Sequence, residues 1–376
     1  MNNNIRICSR CVMDTTAKEI TFDENGESNF AKQYDIVEKS EVFSDKAGQE
    51  KLDLLISEIK KKGKNKKYDV LIGLSGGVDS SYVAYLLRKK YNLRALAVHL
   101  DNGWNTELSV ANVEQIVKRL DIDLITNVLD WEEFRDIQTS FLKSSISNIE
   151  IPTDHAIWAT LLKTAGKYGI SYIISGNNVV TESIMPESWL YNSKDSKLIR
   201  SIHKKFGKIK MKTYPYLTTF DFFKFLILKN IRWVPILNYV PFVKEKAKQL
   251  LIDELGWRDY GGKHYENIFT RFFHAYYLPE KFGYDLRKCY YSALVCSGQM
   301  SRDEALKELE KPPADKKVLN HDRDYVIKKL GLTQDEFDHI ISNVNKNYKD
   351  FPNNEYLWQR FNWFVKIARK RITRVG

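Results

Sequence analysis

The residues best suited to chemistry are Ser75-Gly-Gly-Val-Asp-Ser-Ser81. Glycines let a backbone approach a ligand closely, and free N–H groups at a helix start favour an anion. The Ser75 and Ser80 hydroxyls can donate to phosphate oxygens, and Asp79 offers the hard oxygen that Mg²⁺ takes. The Gly-Lys-[Ser/Thr] ending of a Walker A loop is absent, so this is a phosphate cradle of another kind.

Other segments offer further groups. His99-Leu-Asp101-Asn-Gly-Trp104 places a carboxylate where it can meet a metal or a ribose, or simply cap a turn. Pro152-Thr-Asp154-His155 opens a helix, with Thr153 or Asp154 as a natural N-cap. In Ser175-Gly-Asn-Asn178, followed by Thr181-Glu182, Gly176 permits close contact, Asn177 can read polar edges, and Glu182 can share Mg²⁺ with Asp79. A plain turn is the alternative there. Tyr260-Gly-Gly-Lys263-His264-Tyr-Glu266 is a second anion-friendly turn. Lys263 suits phosphate neutralisation and His264 suits proton transfer, though a lone histidine is more often structural. Cys8-Ser-Arg-Cys11 has metal-knuckle spacing, but no second such pair follows it.

The elements that must hold these groups alternate. Tyr68–Leu74 is an apolar, β-branched run that reads as a buried strand, and Tyr82–Arg88 repeats apolar residues at helical spacing. Further strands are expected at 94–100, 123–128 and 171–175, with helices at 79–90, 107–120, 131–145 and 154–168 between them. Such alternation implies an α/β fold with a doubly wound parallel sheet, whose ligands sit beyond the carboxyl ends of the strands. Ser75, Asp101 and Gly176 all fall at those ends.

The pattern divides the chain into an N-terminal cysteine module (1–50), the α/β domain (51–182) and a mainly helical region (183–376). Helices are expected there at 219–231, 242–255, 264–277, 286–297, 301–310, 320–331, 333–347 and 354–373. Phe220–Phe242 is rich in Phe, Leu, Ile and Trp, but charges and two prolines interrupt it. An amphipathic helix, buried in the core or touching a membrane surface, is expected there rather than a membrane span. Met1-Asn-Asn-Asn-Ile-Arg has no apolar signal core, and four cysteines in 376 residues make no disulfide framework; a reducing cytoplasm is expected. The net charge of +11 suits an anionic substrate, an acidic partner or nucleic acid, and equally a set of solvated basic faces.

Ser75–Ser81 resembles the PP-loop of the ATP pyrophosphatases, a HUP-like fold in which this loop grips the pyrophosphate of ATP. More of the chain is similar to the N-acetyl sugar amidotransferases of bacterial lipopolysaccharide and O-antigen biosynthesis. That resemblance rests on Cys8–Asp14, Ile20–Gly26, Ser75–Ser81, Pro152–Asp154, Gly176–Asn178, Asp259–Glu266 and Cys296–Arg302. It implies ATP and Mg²⁺, with Ser75, Gly76, Gly77, Asp79, Ser80, Ser81, Asp101, Gly176, Asn177 and Glu182 around the nucleotide, and Asp79, Lys263 and His264 in catalysis. It implies conversion of an acetamido group on a nucleotide-linked (UDP) sugar into an acetamidino group. The amide oxygen would be adenylated, pyrophosphate released, and ammonia added at carbon. It further implies a separate glutaminase subunit and a cyclase-like barrel subunit as the ammonia source. Position 2 is Asn2, not the cysteine that an N-terminal-nucleophile glutaminase requires. The helical region, including the basic Trp363–Arg374 helix, would be the docking surface. Relatives carry a second cysteine pair where this chain has Ser28 and Ala31. Two zinc ligands are therefore missing, no tightly bound zinc is expected, and no metal-ligand set is assigned.

Two rivals share part of these features. A PP-loop tRNA-modifying enzyme, a thiolase or lysidine-type ligase, would use the basic surface for phosphates. The thiolase form needs cysteines beside the loop, and none lies near 75–81 or 170–182, so nucleic acid is not the expected partner. A non-catalytic nucleotide-binding scaffold would have little use for Asp79, Asp101 and Glu182.

Overall fold

A computed structural model describes residues 5–262 and 265–361. Its centre is a five-stranded sheet of β1 (Val70–Gly73), β2 (Ala95–Asp101), β3 (Asp123–Val128), β4 (Tyr172–Ser175) and β5 (Arg232–Pro235), in the order β3-β2-β1-β4-β5. Every neighbouring pair is parallel. The chain leaves β1 in one direction through β2 and β3, then returns to the other side of β1 as β4. The order therefore reverses between β1 and β4, and a crevice opens at their carboxyl ends.

Strand residues alternate between two cores. Val70, Ile72, Ala95, Ala97, Tyr172, Ile174 and Val234 face one, whereas Leu71, Leu96, Val98 and Ile173 face the other. The first core is closed by α2 (Lys46–Gly63), α3 (Val78–Tyr85) and α4 (Glu107–Leu120), with Ala247, Leu251 and Trp257 from the helical region. The second is closed by α6 (Ile151–Tyr168), which contributes Ala159, Leu161, Leu162 and Ala165, and by Phe222 and Trp358.

The expected alternation is present, and two expectations are corrected. The helix read at 219–231 is a short α-turn (Thr219–Phe223) and a π-turn (Lys224–Leu228), followed by β5. Asn230 at φ 49° ends the helical run, and β5 lies at the sheet edge, where Pro235 costs no ladder bond. The helix expected to start at Asp154 begins at Ile151, with Pro152 in its first turn and Glu150 as N-cap residue making no side-chain cap bond. Neither Thr153 nor Asp154 is the cap.

Six of the expected C-terminal helices are observed, at Lys244–Leu255, Ile268–Phe272, Arg287–Cys296, Arg302–Glu310, Lys316–Leu330 and Gln334–Ser342; the one expected from 264 starts at Ile268, capped by Asn267, and the one expected to 347 ends at Ser342. The Trp363–Arg374 segment lies outside the described residues. No described helix is long and apolar enough to cross a membrane.

The N-terminal segment packs onto these helices. Val12 N–H donates to Ser292 Oγ (3.1 Å), Lys288 reaches Asp14 (2.5 Å), and Arg302 donates to the Cys8 carbonyl (2.9 Å). The Asp23–Gly26 turn forms as read, with Gly26 at φ 76°. Ser28 stands beside both knuckle cysteines: its N–H donates to Cys8 Sγ (3.1 Å) and its Oγ lies 3.7 Å from Cys11 Sγ. Cys296 also hydrogen-bonds Cys11, which raises the Cys11 pKa and lowers that of Cys296. The spacing of Cys289 and Cys296 gave no sign of that meeting.

Candidate active site

The loop between β1 and α3 is held from inside and from outside. Ser75 N–H donates to Ser80 Oγ (3.3 Å), Gly77 N–H to Ser75 Oγ (3.3 Å), and Ser81 Oγ–H to the Gly77 carbonyl (2.7 Å). From the helical region, Trp257 Nε1–H (2.7 Å) and the Tyr260 hydroxyl (2.5 Å) both donate to the Gly76 carbonyl. Gly76 sits at φ 86°, the left-handed region that favours glycine. Gly77, Val78, Asp79 and Ser80, at the start of α3, line a cavity at the crevice, and a helix N-terminus favours an anion. Gly176 supplies the second close approach: a Cβ there would lie 3.0 Å from the Asp79 backbone carbon and 3.1 Å from Ser80 N. The β4 loop thus rests directly on the start of α3.

Two cavities meet at this point. The larger, of about 670 Å³, takes in Ser75, Gly77, Asp79 and Ser80 from the loop, with Asn177 and Glu182 from the β4 side. Lys244, Lys248, Arg271, Arg287 and Lys311 also line it, among acidic residues that include Glu245, Asp259 and Glu308. Lys244 Nζ is 3.8 Å from Asp79 Oδ2, and Arg271 is paired in a fork to Asp322 (2.5 and 2.8 Å). The smaller, of about 380 Å³, runs between the ends of β1, β2 and β4, and Ile157, Leu161 and Trp233 are among its apolar walls. Ser75, Ser175, Gly176, Glu266 and His274 line both, so they form the seam.

A hydrogen-bond chain joins the smaller cavity to the loop. His99 Nδ1 is 2.8 Å from the Leu74 carbonyl, which can only accept, so that nitrogen carries the proton. Its Nε2 then accepts from Asn105 Nδ2 (3.1 Å), and Asn105 Oδ1 accepts from Asn267 (3.4 Å).

The groups read from the sequence divide between lining and support. Ser75, Gly77, Asp79, Ser80, Gly176, Asn177 and Glu182 come together in the crevice. Three others do not line it. Ser81 is fully buried and spends its hydroxyl on Gly77. Gly76 shapes the loop rather than lining the cavity. Asp101 lines neither cavity, and its Oδ1 accepts from Gly103 N–H (2.8 Å) as a turn cap. Lys263 and His264 lie outside the described residues. His155 is structural: burial lowers its pKa to about 4, Nδ1 donates to the Ser193 carbonyl, and Nε2 accepts from Leu217 N–H.

Sequence reasoning missed Glu150, Glu266 and His274, and it read Asp154 mainly as a cap. Burial, then the charge of Asp154, raises the Glu150 pKa to about 8, while a bond from Thr270 pulls it down; burial raises Asp154 to about 7. The visible signal was two carboxylates four residues apart at a helix start.

A raised carboxyl pKa means that the folded state binds the proton more tightly than the unfolded chain. The associated stability is full below the unfolded value and is lost as pH rises through about 8. Glu150→Gln, which mimics the protonated form, is therefore expected to raise the melting temperature more at pH 8.5 than at pH 5. A flat difference across that range would show that burial does not perturb Glu150. Subtracting wild type removes the opposite trend of His155, whose lowered pKa costs stability as pH falls from 6.5 towards 4.

Two family models match the chain. The model described as NAD synthase matches residues 48–148, and "LPS biosynthesis protein WbpG-like, C-terminal domain" matches residues 266–365. An uncharacterized protein of Methanocaldococcus jannaschii is 23% identical over 275 residues, 72% of this chain and 82% of that protein. A glutamine-hydrolyzing GMP synthase of Lactobacillus acidophilus is 38% identical over 78 residues, 21% of this chain and 14% of the synthase. A tRNA-specific 2-thiouridylase of Mycoplasmopsis synoviae is 38% identical over 74 residues, 19% of this chain and 18% of that enzyme. The last two likenesses are thus confined to about a fifth of this chain and less than a fifth of each of those proteins.

Proposed function

We propose, on the premise that the chain is a PP-loop ATP pyrophosphatase superfamily member with a WbpG-like C-terminal domain, that it is an ATP-dependent sugar amidotransferase. It would convert an acetamido group of a nucleotide-linked sugar into an acetamidino group, forming AMP and pyrophosphate. The observation that carries this reading is the origin of the seam. Ser75, Ser175 and Gly176 come from the sheet, whereas Glu266 and His274 come from the segment that matches the WbpG-like domain. In this reading the nucleotide and the sugar would meet at walls shared by the sheet and that domain.

In this reading the triphosphate lies over the start of α3, held by its N–H groups and by Ser75 and Ser80. The nucleoside packs in the smaller cavity against Ile157, Leu161 and Trp233. The α-phosphorus then sits at the seam, where the substrate's amide oxygen attacks it. Asp79 and Glu182, two hard oxygen donors on one cavity, fit Mg²⁺, which when bound would neutralise charge on the departing pyrophosphate. Lys244 adds a cation on the same side. Adenylation turns a poor leaving group into AMP, and ammonia displaces it at carbon.

The test is mass spectrometry of UDP-diacetamido sugars incubated with Mg·ATP and ammonium. A product about one mass unit lighter, with AMP and pyrophosphate, identifies replacement of oxygen by NH. Ammonia would come from a separate glutaminase with a cyclase-like barrel subunit. The chain by itself is accordingly expected to turn over with ammonium and not with glutamine. Glutamine-dependent turnover in the absence of a partner would refute the divided arrangement.

A further inference from the structure

The smaller cavity has no lysine or arginine among its described lining residues, yet it holds Glu150, Asp154 and Glu266; the larger sets five lysines and arginines beside six aspartates and glutamates. An acidic cavity beside a triphosphate site has no use for a second anion. Glu150 is only 8% exposed. Its Oε2 bonds Thr270 Oγ1 (3.1 Å), while its Oε1 is buried with no hydrogen-bond partner among the described residues. A buried carboxylate oxygen without a donor is costly unless a ligand supplies one. Asp154 lies one helical turn further along α6 and lines the same cavity.

We propose that Glu150 and Asp154 form a site that binds ammonium and takes its proton, releasing ammonia towards the seam at Ser75 and Ser175. This rests on the amidotransferase reading. The cavity of about 380 Å³ far exceeds one ammonium, comparable in size to a water of about 30 Å³, and leaves space for the nucleoside against its apolar walls. Ammonium has no lone pair and cannot attack carbon. One N–H bond breaks, its electron pair stays on nitrogen, and the proton passes to the carboxylate. The freed pair forms the C–N bond at the adenylated amide carbon. The C–O bond breaks with its electrons on AMP, and the stored proton leaves on an AMP phosphate oxygen or on water. Thr270 can receive a hydrogen bond from protonated Glu150 as readily as it donates one to the ionised form. In the empty site burial keeps Glu150, raised to about 8, mainly protonated at pH 7; a cation bound between the two carboxyls favours the ionised form, and that carboxylate is the base for ammonium. The titratable groups facing the pair are Glu266 and His274 from the helical region, His99 from β2, and Tyr214 and Tyr290.

The test has two arms. Crystals of the full chain soaked in thallium(I), a monovalent cation of ammonium size, should show an anomalous peak between Glu150 and Asp154. Glu150→Gln and Asp154→Asn should each weaken or remove it, and no peak in wild type overturns the site. In turnover with ammonium varied, either variant should raise the ammonium KM about tenfold or more at pH 7 and leave the ATP Kd unchanged. A raised ATP Kd with an unchanged ammonium KM also overturns it, giving the pair to the ribose instead. If no sugar is amidated, the amidotransferase reading fails by itself, and the thallium arm still decides whether this pair binds a cation.

Discussion

Asp79→Ala is expected to lower pyrophosphate release by about a thousandfold or more while the fold survives. Asp79 is the second residue of α3, lines the larger cavity, and lies 3.8 Å from Lys244. In the ground state its charge complements the helix N-terminus, a contribution of about 0.3–1 kcal/mol that the protein can lose without unfolding. In the proposed reaction the demand on Asp79 is larger in the transition state, because departing pyrophosphate would gather charge and the cation neutralising it would need an anchoring carboxylate. The expected signature is therefore a collapse in kcat with a melting temperature within a few degrees of wild type. Glu182→Gln should fall in the same direction. Activity of Asp79→Ala within tenfold of wild type would remove the metal role and leave Asp79 as a helix-terminal charge alone.

Gly76→Ala should weaken ATP binding at least about tenfold and lower the melting temperature. Two costs coincide at this position. The left-handed φ of 86° disfavours any residue with a Cβ by about 1–2 kcal/mol. The added carbon would also stand 2.8 Å from the Ser109 carbonyl and 3.0 Å from the Tyr260 hydroxyl. Relief requires the 75–77 backbone to shift, which pulls the Gly76 carbonyl from Trp257 and Tyr260 and re-aims the N–H groups meant for phosphate. Gly298→Ala separates the two costs, because Gly298 shares the positive φ of 72° with nothing within 4 Å of a Cβ. It should lose a little stability and leave ATP binding unchanged. If Gly76→Ala binds ATP like wild type, the loop geometry does not govern the nucleotide.

What could be read early was local. Tyr68–Arg88 carries a strand period, a glycine turn and a helix period in direct succession, so the loop and its position at a strand end follow from neighbours in sequence. The short edge strand β5 escaped because four residues ending in proline, beside an aromatic-rich stretch, resemble the end of a helix more than a strand. Ser81 and Asp101 show the limit for individual side chains. Both belong to the right segments, yet one turns inward to Gly77 and the other folds back on Gly103.

Short-range patterns were enough to specify the parallel α/β sheet, the glycine-rich loop after β1 and the strand ends that carry polar groups, because periodicity and turn chemistry act over a few residues. Which groups share a cavity was set by long-range packing. Gly76 is clamped from Tyr260, 184 residues away, and Glu150 meets Thr270 across 120. Contacts of that range leave no periodic trace in the chain. Whether a carboxylate ends as a turn cap like Asp101, on a cavity wall like Asp79 or buried like Glu150 depends on the desolvation and partners that only the packed fold supplies.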